Sequence, residues 1–233
     1  MQAVVLCGGL ATRLGSRAAK TPKILLEVGG RPFLDRLVDQ LEAAGFERML
    51  LCAGHLADAL DDALARRSWP LAVEIARDGD TQLGTGGAIR RALPRLEASF
   101  LLTYGDSYLR FDHAQPLRRL RAEPRAGACM ATWENHDAIE PSNVAVSNGW
   151  VARYDKARGA GTPPLTAIDY GAIALRRETV DELDPDTVCD LAPLLSRLAA
   201  RGALLACPVA ERFFEIGSLE GLAALEAHLG GAA

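Results

Sequence analysis

An apolar run that stops abruptly in two glycines and is followed by an arginine constrains this chain most: Ala3-Val4-Val5-Leu6-Cys7-Gly8-Gly9-Leu10-Ala11-Thr12-Arg13-Leu14. A buried strand ending in such a turn delivers a loop suited to phosphate. Without a Cβ at Gly8 and Gly9 the backbone can take a positive φ and approach a ligand closely, turning successive N–H groups toward an anion. Arg13 adds a planar cationic fork for phosphate oxygens. Lys20-Thr21-Pro22-Lys23-Ile24-Leu25 supplies a second cation, Lys23, held after a proline. Two fixed cations and a glycine turn suit a polyphosphate. A Gly-Gly pair alone is more often a plain tight turn, and the spacing is neither that of a P-loop nor that of the dinucleotide G-x-G-x-x-G fingerprint.

The alternation of strands and helices after this loop sets the fold class. Residues 4–6, 49–53, 73–76 and 100–103 read as strands, and 31–44, 57–66 and 87–96 as helices, the first with Pro32 in its opening turn and Gly45 as terminator. This rhythm predicts an α/β fold: a Rossmann-like, doubly wound, mostly parallel sheet with helices on both faces and its site at the carboxyl ends of the strands. Beyond Asp112 the pattern changes. Residues 127–133, 144–146, 150–154, 168–175 and 204–209 read as strands, with Asn148-Gly149 a hairpin turn, and 191–201 and 219–229 as helices. This β-rich half reads as continuous with the first, so 1–233 is expected to be one domain with halves 1–112 and 113–233. No internal repeat interrupts it.

Composition excludes more than it selects. With 233 residues, 49% hydrophobic and 24% charged, the chain is an ordinary globular protein with enough length for a large core. A net charge of -4 argues against a general nucleic-acid or anionic-membrane surface. The five cysteines are odd in number, scattered and without C-x-x-C spacing, so they read as reduced packing residues, and Cys7 is not expected to be a nucleophile. The chain enters a strand at once with no charged leader, and no apolar run reaches membrane-spanning length; a cytoplasmic enzyme without nucleic-acid or membrane partners is the expectation.

Five motifs in order carry a resemblance. Leu6-Cys7-Gly8-Gly9-Leu10-Ala11-Thr12-Arg13-Leu14 with Pro22-Lys23 resembles the signature of the sugar-1-phosphate nucleotidyltransferases, also called nucleoside-diphosphate-sugar pyrophosphorylases. Leu83-Gly84-Thr85-Gly86-Gly87-Ala88 resembles the family's second glycine loop, Tyr104-Gly105-Asp106-Ser107 its metal-binding turn, Tyr154-Asp155-Lys156 its sugar-phosphate lysine, and Phe214-Glu215-Ile216-Gly217-Ser218 its second metal turn. The match runs from about Met1 to about Leu229. It points to the short bacterial branch that includes mannoheptose-1-phosphate guanylyltransferases and N-acetylmuramate-1-phosphate uridylyltransferases.

The resemblance implies a reaction and its residues. A sugar phosphate oxygen attacks the α-phosphorus of an NTP and pyrophosphate leaves in line. Both partners are anionic, so the protein must neutralise and align. Magnesium is the implied cofactor, with Asp106 and Glu215 as its carboxylates. Arg13, Lys23 and Asp106 are the implied catalytic residues, Lys23 on the α-phosphate and Arg13 on the leaving phosphates. Leu6, Gly8, Gly9, Ala11 and Thr12 join them around the nucleotide, Gly84, Thr85 and Gly87 close on base and ribose, and Asp78 and Gln82 lie where the base is read. Lys156 takes the sugar phosphate. Asn143, Asp169 and Tyr170 face the sugar, with Tyr108 and Glu134 as weaker candidates; for Asp169 and Tyr170 a buried-turn role competes equally.

The chain departs from the family pattern in three places. Glu215 replaces an Asp, Ala11 replaces a Gly, and Ile168-Asp169-Tyr170-Gly171 stands where relatives carry Asn-x-Gly. An acidic Asp78 could accept from guanine N1–H and N2–H₂, which favours GTP with a manno-configured hexose or heptose 1-phosphate; UTP or CTP with another sugar 1-phosphate, such as N-acetylmuramate 1-phosphate, stays open. A glycosyltransferase would carry Asp-x-Asp where this chain has Gly105-Asp106-Ser107. A non-catalytic regulatory module would not need both acidic residues. Residues 158–164 read as a connector or a lid, and the assembly as a monomer or homodimer.

Overall fold

The protein is seen in a computed structural model that describes residues 1–8, 21–54, 56–66, 68–79, 81–158, 161, 163–185 and 187–231. Gly9, Ala11, Thr12 and Arg13 therefore lie outside the described residues, as does part of the 158–164 loop. In chain order the first elements are β1 (Gln2–Leu6), a 3₁₀ turn (Lys23–Leu25), the short β2 (Glu27–Val28) and β3 (Arg31–Pro32), α1 (Phe33–Ala43), β4 (Arg48–Ala53), α2 (Ala57–Ala65) and β5 (Ala72–Arg77). Next come α3 (Gly84–Ala92), β6 (Ser99–Tyr104), β7 (Ser107–Tyr108), α4 (Gln115–Ala122), β8 (Ala128–Glu134), β9 (Val144–Ser147), β10 (Trp150–Tyr154) and β11 (Ala167–Arg176). The chain closes with α5 (Arg177–Val180), α6 (Ala192–Ala200), β12 (Leu204–Val209), β13 (Phe214–Glu215) and α7 (Leu219–Gly230). Two compact units interleave along it: 1–82, 103–110 and 213–233 form one, and 83–102 with 111–212 the other.

The first unit carries the parallel arrangement the sequence predicts. β5, β4 and β1 lie side by side, with Val4 opposite Leu50 and Leu51 opposite Ile75. Ala3, Val4 and Val5 are wholly buried, and α1 buries Phe33, Leu34, Leu37 and Leu41, its apolar stripe. That helix starts later than expected. Pro32 is extended (ψ 140°) at its N-cap and pairs, as part of β3, with Glu27 of β2. At the other end β7 pairs with β13, Ser107 opposite Glu215.

In the second unit the sheet is mixed, not mostly parallel. Its strand order is β6-β11-β8-β12-β10-β9, with β8 antiparallel to β11 and parallel to β12. β9 and β10 form an antiparallel hairpin because Asn148 (φ 51°) and Gly149 (φ 80°) both adopt the left-handed region that a tight two-residue turn needs. Helix α4, which is not expected from the sequence pattern, packs on β8, β11 and β12 through Leu117 and Leu120, both fully buried. Two apolar positions in one short helix give too little periodicity to read. α6 packs on β10 and β12. Both units are of the α/β type.

Candidate active site

The candidate residues fall into two groups, one in each unit. In the first unit the carboxyl ends of β1, β4 and β5 run into Cys7-Gly8, Gly54 and Asp78. Asp78 is buried, and its Oδ2 lies 3.2 Å from where a Cβ on Gly8 would stand and 3.3 Å from one on Gly54. A side chain at either glycine would press on the carboxylate, so the glycines give Asp78 its place over the strand ends. Leu6 sits at the end of β1, where its C=O accepts the Gly105 N–H at 3.0 Å. A Cβ on Gly105 would meet Cys7 Sγ at 3.0 Å and the Leu6 carbonyl oxygen at 3.3 Å. Close approach to β1 therefore requires glycine there, and it brings Asp106 to the same strand end. Burial first, then Cys52, Asp106 and Asp78 raise the Cys7 thiol well above its ordinary value, so Cys7 stays neutral and is no nucleophile.

Three motifs far apart in sequence converge on Asp106. Lys23, on the 3₁₀ turn after Pro22, donates from Nζ to Asp106 Oδ2 at 2.9 Å, in a pair whose side chains are only 20% and 29% exposed. Gly217 lies against both: a Cβ there would stand 3.6 Å from Asp106 Oδ2 and 3.8 Å from Lys23 Nζ. The Ile216 N–H donates to the Asp106 C=O at 2.8 Å, which sets the residue bearing the Glu215 carboxylate beside the Asp106 turn. Glu215 is held from behind, because a Cβ on Gly221 would press against its carbonyl oxygen, and the Ser218 side chain caps α7 by accepting from Gly221 N–H at 3.0 Å. Two hard oxygen donors on adjoining turns fit a magnesium ion, which needs one or two carboxylates and otherwise takes phosphate and water oxygens. Among the described residues there is no group of three or more His, Cys, Asp or Glu of the kind that encloses a metal by itself. Tyr108, on β7, lies opposite Phe214.

The second unit holds the other group. The loop opening α3 packs backbone to backbone on residues 187–190: Gly86 N–H and Gly87 N–H donate to the Cys189 C=O at 2.9 and 3.3 Å, and Cys189 N–H donates to the Leu83 C=O at 2.9 Å. Gly84 has φ +73°, and a Cβ on it would clash with the Cys189 carbonyl oxygen. These glycines are thus required by the protein's own packing, a reason that the sequence pattern does not contain. Gln82 at the edge of this loop is exposed. Thr85 donates its hydroxyl to Asp190 Oδ1 at 3.0 Å, and Lys156 donates to Asp190 Oδ2 at 3.0 Å. Asp190 is not among the residues expected from the sequence. The available signal is weak: an acidic residue two positions before α6, whose Oδ1 accepts the Ala192 N–H at 2.9 Å.

Asp169 and Tyr170 lie at an irregularity of β11 between Asp169 and Ile173, with Gly171 at φ 86°. Such a bulge turns a side chain out of the strand's regular alternation. Asp169 is pinned at its backbone, where the Asn143 Oδ1 accepts its N–H at 2.9 Å, and at its carboxylate, where Oδ1 accepts the Gly171 N–H at 3.0 Å. Burial raises Asp169 to about 6, against the lowering effects of the Gly171 N–H, of Lys156 and of the Tyr154 hydroxyl. Tyr170, in contrast, is 1% exposed and packs edge-on against Phe111 at 5.5 Å, which places it in the core. Glu134, at the end of β8, is exposed beside His136.

A family profile, that of the MobA-like NTP transferase domain, matches residues 3–212. The chain belongs to this family. It is a nucleotidyltransferase. The glucose-1-phosphate cytidylyltransferase of Salmonella typhi is 26% identical over 88% of this chain and 87% of its own. The N-acetylmuramate alpha-1-phosphate uridylyltransferase of Caulobacter vibrioides is 26% identical over 97% of this chain and 96% of its own. The crystal structure of HddC from Yersinia pseudotuberculosis shares the fold, with a TM-score of 0.79, 24% identity and coverage of 98% of this chain and 99% of that one. No helix among the described residues is long and apolar enough to cross a membrane.

Proposed function

We propose that this NTP transferase moves a nucleotidyl group from an NTP to a sugar 1-phosphate, giving an NDP-sugar and pyrophosphate. The observation that carries the reading is the family match over residues 3–212, together with relatives that align along most of the chain and are named for action on sugar 1-phosphates. In this reading one doubly wound nucleotidyltransferase domain spans 1–233, with nucleotide-handling residues mainly in 1–112 and a sugar-binding, β-rich part beyond.

The roles follow from charge. Lys23 and Arg13, with the Gly8-Gly9 turn, take the phosphates of the NTP, and the loop at 84–87 closes on base and ribose. Asp106 and Glu215 would hold a magnesium ion, which when bound supplies positive charge to the phosphate oxygens. The Lys23 ammonium already has one anionic partner in Asp106 and keeps further N–H donors for a phosphate oxygen. Lys156 receives the sugar phosphate. Asp169, an acceptor when ionised, takes sugar hydroxyls, with Asn143 fixing its backbone. The sugar phosphate is a nucleophile at neutral pH without help, so no general base is required.

GTP with a manno-configured hexose or heptose 1-phosphate is the favoured pair, because Asp78 offers a carboxylate at the strand ends for the guanine N–H edge. UTP or CTP with a different sugar 1-phosphate is the second reading, favoured by the cytidylyl- and uridylyltransferase relatives. Phosphorus NMR of a reaction mixture tests the chemistry. Pyrophosphate and a new unsymmetrical diphosphate should grow together; formation of NDP and inorganic phosphate instead would replace transfer by hydrolysis.

A further inference from the structure

Asp190 joins two candidate residues of the second unit that belong to different substrates. Its Oδ1 accepts the Thr85 hydroxyl at 3.0 Å and the Ala192 N–H at 2.9 Å, while its Oδ2 accepts Lys156 Nζ at 3.0 Å. The Leu191 N–H donates to Thr85 Oγ1 at 2.9 Å, so the threonine is held from two consecutive residues. Behind these side chains the glycine loop is fastened to Cys189 by three backbone hydrogen bonds. Asp190 therefore projects from a backbone tied directly to the nucleotide loop and reaches the lysine on the far side.

A lysine needs such a partner. Its ammonium rides on a flexible four-carbon stem, and ordering it costs rotamer entropy. One donor spent on Asp190 leaves two for a phosphate. Burial works to raise Asp190, but the Ala192 N–H and Lys156 outweigh it and hold the carboxylate below its ordinary range, so it is an anion at neutral pH.

We propose that Asp190 is a positioning residue: it fixes the ammonium of Lys156 at a set place relative to Thr85, registering the sugar-phosphate subsite to the nucleotide loop. This role rests on the proposed function for the parts assigned to Lys156 and Thr85. Asp190→Asn isolates it, because Asn keeps a side-chain carbonyl for the Ala192 N–H and the Thr85 hydroxyl, yet removes the charge facing Lys156.

The test has two readouts. In steady-state kinetics Asp190→Asn should raise KM for the sugar 1-phosphate about tenfold with the affinity for NTP unchanged, and should add nothing to Lys156→Ala. Asp190→Glu should recover part of the loss. An unchanged KM, or effects that add with Lys156→Ala, would overturn the proposal. Independently of turnover, nitrogen relaxation of labelled lysine side chains should show the Lys156 ammonium ordered in the wild type and mobile in Asp190→Asn; equal order in both also overturns it. Wild-type silence with every NTP and sugar 1-phosphate would overturn the proposed function instead, and the relaxation result would still decide the role of Asp190.

Discussion

Asp106 combines a tight turn, a cationic partner and a neighbouring strand that brings a second carboxylate-bearing residue alongside. Asp106→Asn keeps the turn and removes the charge, so turnover should fall on the order of a thousandfold. Its unfolding midpoint should move little, since a part-exposed ion pair contributes about 1 kcal/mol or less. Near-normal product formation would remove Asp106 from the metal. Asp169 and His113 set opposing pH slopes. Because burial lifts Asp169 from 3.8 to about 6, the folded chain keeps a proton that the unfolded chain has lost, and stability falls as pH rises through that window. Burial lowers His113 from 6.5 to about 4, so there the unfolded chain binds the extra proton and stability rises between those values. Asp169→Asn deletes the first slope. Its stability by urea titration should climb more steeply than that of the wild type between pH 4 and 6 and exceed it at pH 7 by on the order of 3 kcal/mol; parallel profiles would contradict a desolvated Asp169 carboxylate. Among single residues, the turns that bear Lys23, Asp106 and Glu215 are marked in the sequence by glycine or proline, and the roles expected of the three rest on the resemblance. Asp190 is not, since its partners Thr85 and Lys156 are distant in sequence and only the fold brings them together.

Two glycines with the same backbone requirement separate conformational strain from packing among the elements. Gly84 has φ +73° and Gly202 has φ +66°, but a Cβ would clash with the Cys189 carbonyl oxygen at the first and meets nothing within 4 Å at the second. Gly202→Ala should cost about 1 kcal/mol of left-handed strain. Gly84→Ala should cost at least about 2 kcal/mol more as the glycine loop is forced off Cys189, lowering Tm by roughly a further 4–8 °C. Equal losses would show that the loop does not lean on residues 187–190. The same elements explain what the sequence reveals. β4 and β12 follow from buried apolar runs, β5 and β10 from shorter mixed runs, and the β9–β10 hairpin from the Asn148-Gly149 turn. The sequence pattern opens α3 three residues late, because Gly84-Thr85-Gly86-Gly87 has poor helix propensity and is held in the helix by contacts with Cys189. The two-residue strands β7 and β13 read only as turns, being too short to show a period.

Over the whole molecule, two interleaved units each present a set of the expected residues: Lys23, Asp106 and Glu215 in one, the 84–87 loop, Lys156 and Asp169 in the other. The parallel rhythm of β1, β4 and β5 is legible from alternating strands and helices. The mixed order β11-β8-β12-β10 is not, because strand neighbours far apart in sequence leave no local trace. A coupled reaction of two substrates is tested most directly by pyrophosphate release with magnesium, crossing each NTP against mannose, glucose, N-acetylmuramate and mannoheptose 1-phosphates. Release should occur only when one NTP and one sugar 1-phosphate are present together, with GTP and a manno-configured sugar strongest. Release that proceeds equally without any sugar 1-phosphate, or none from folded protein with any pair, would show that the chain does not catalyse this transfer.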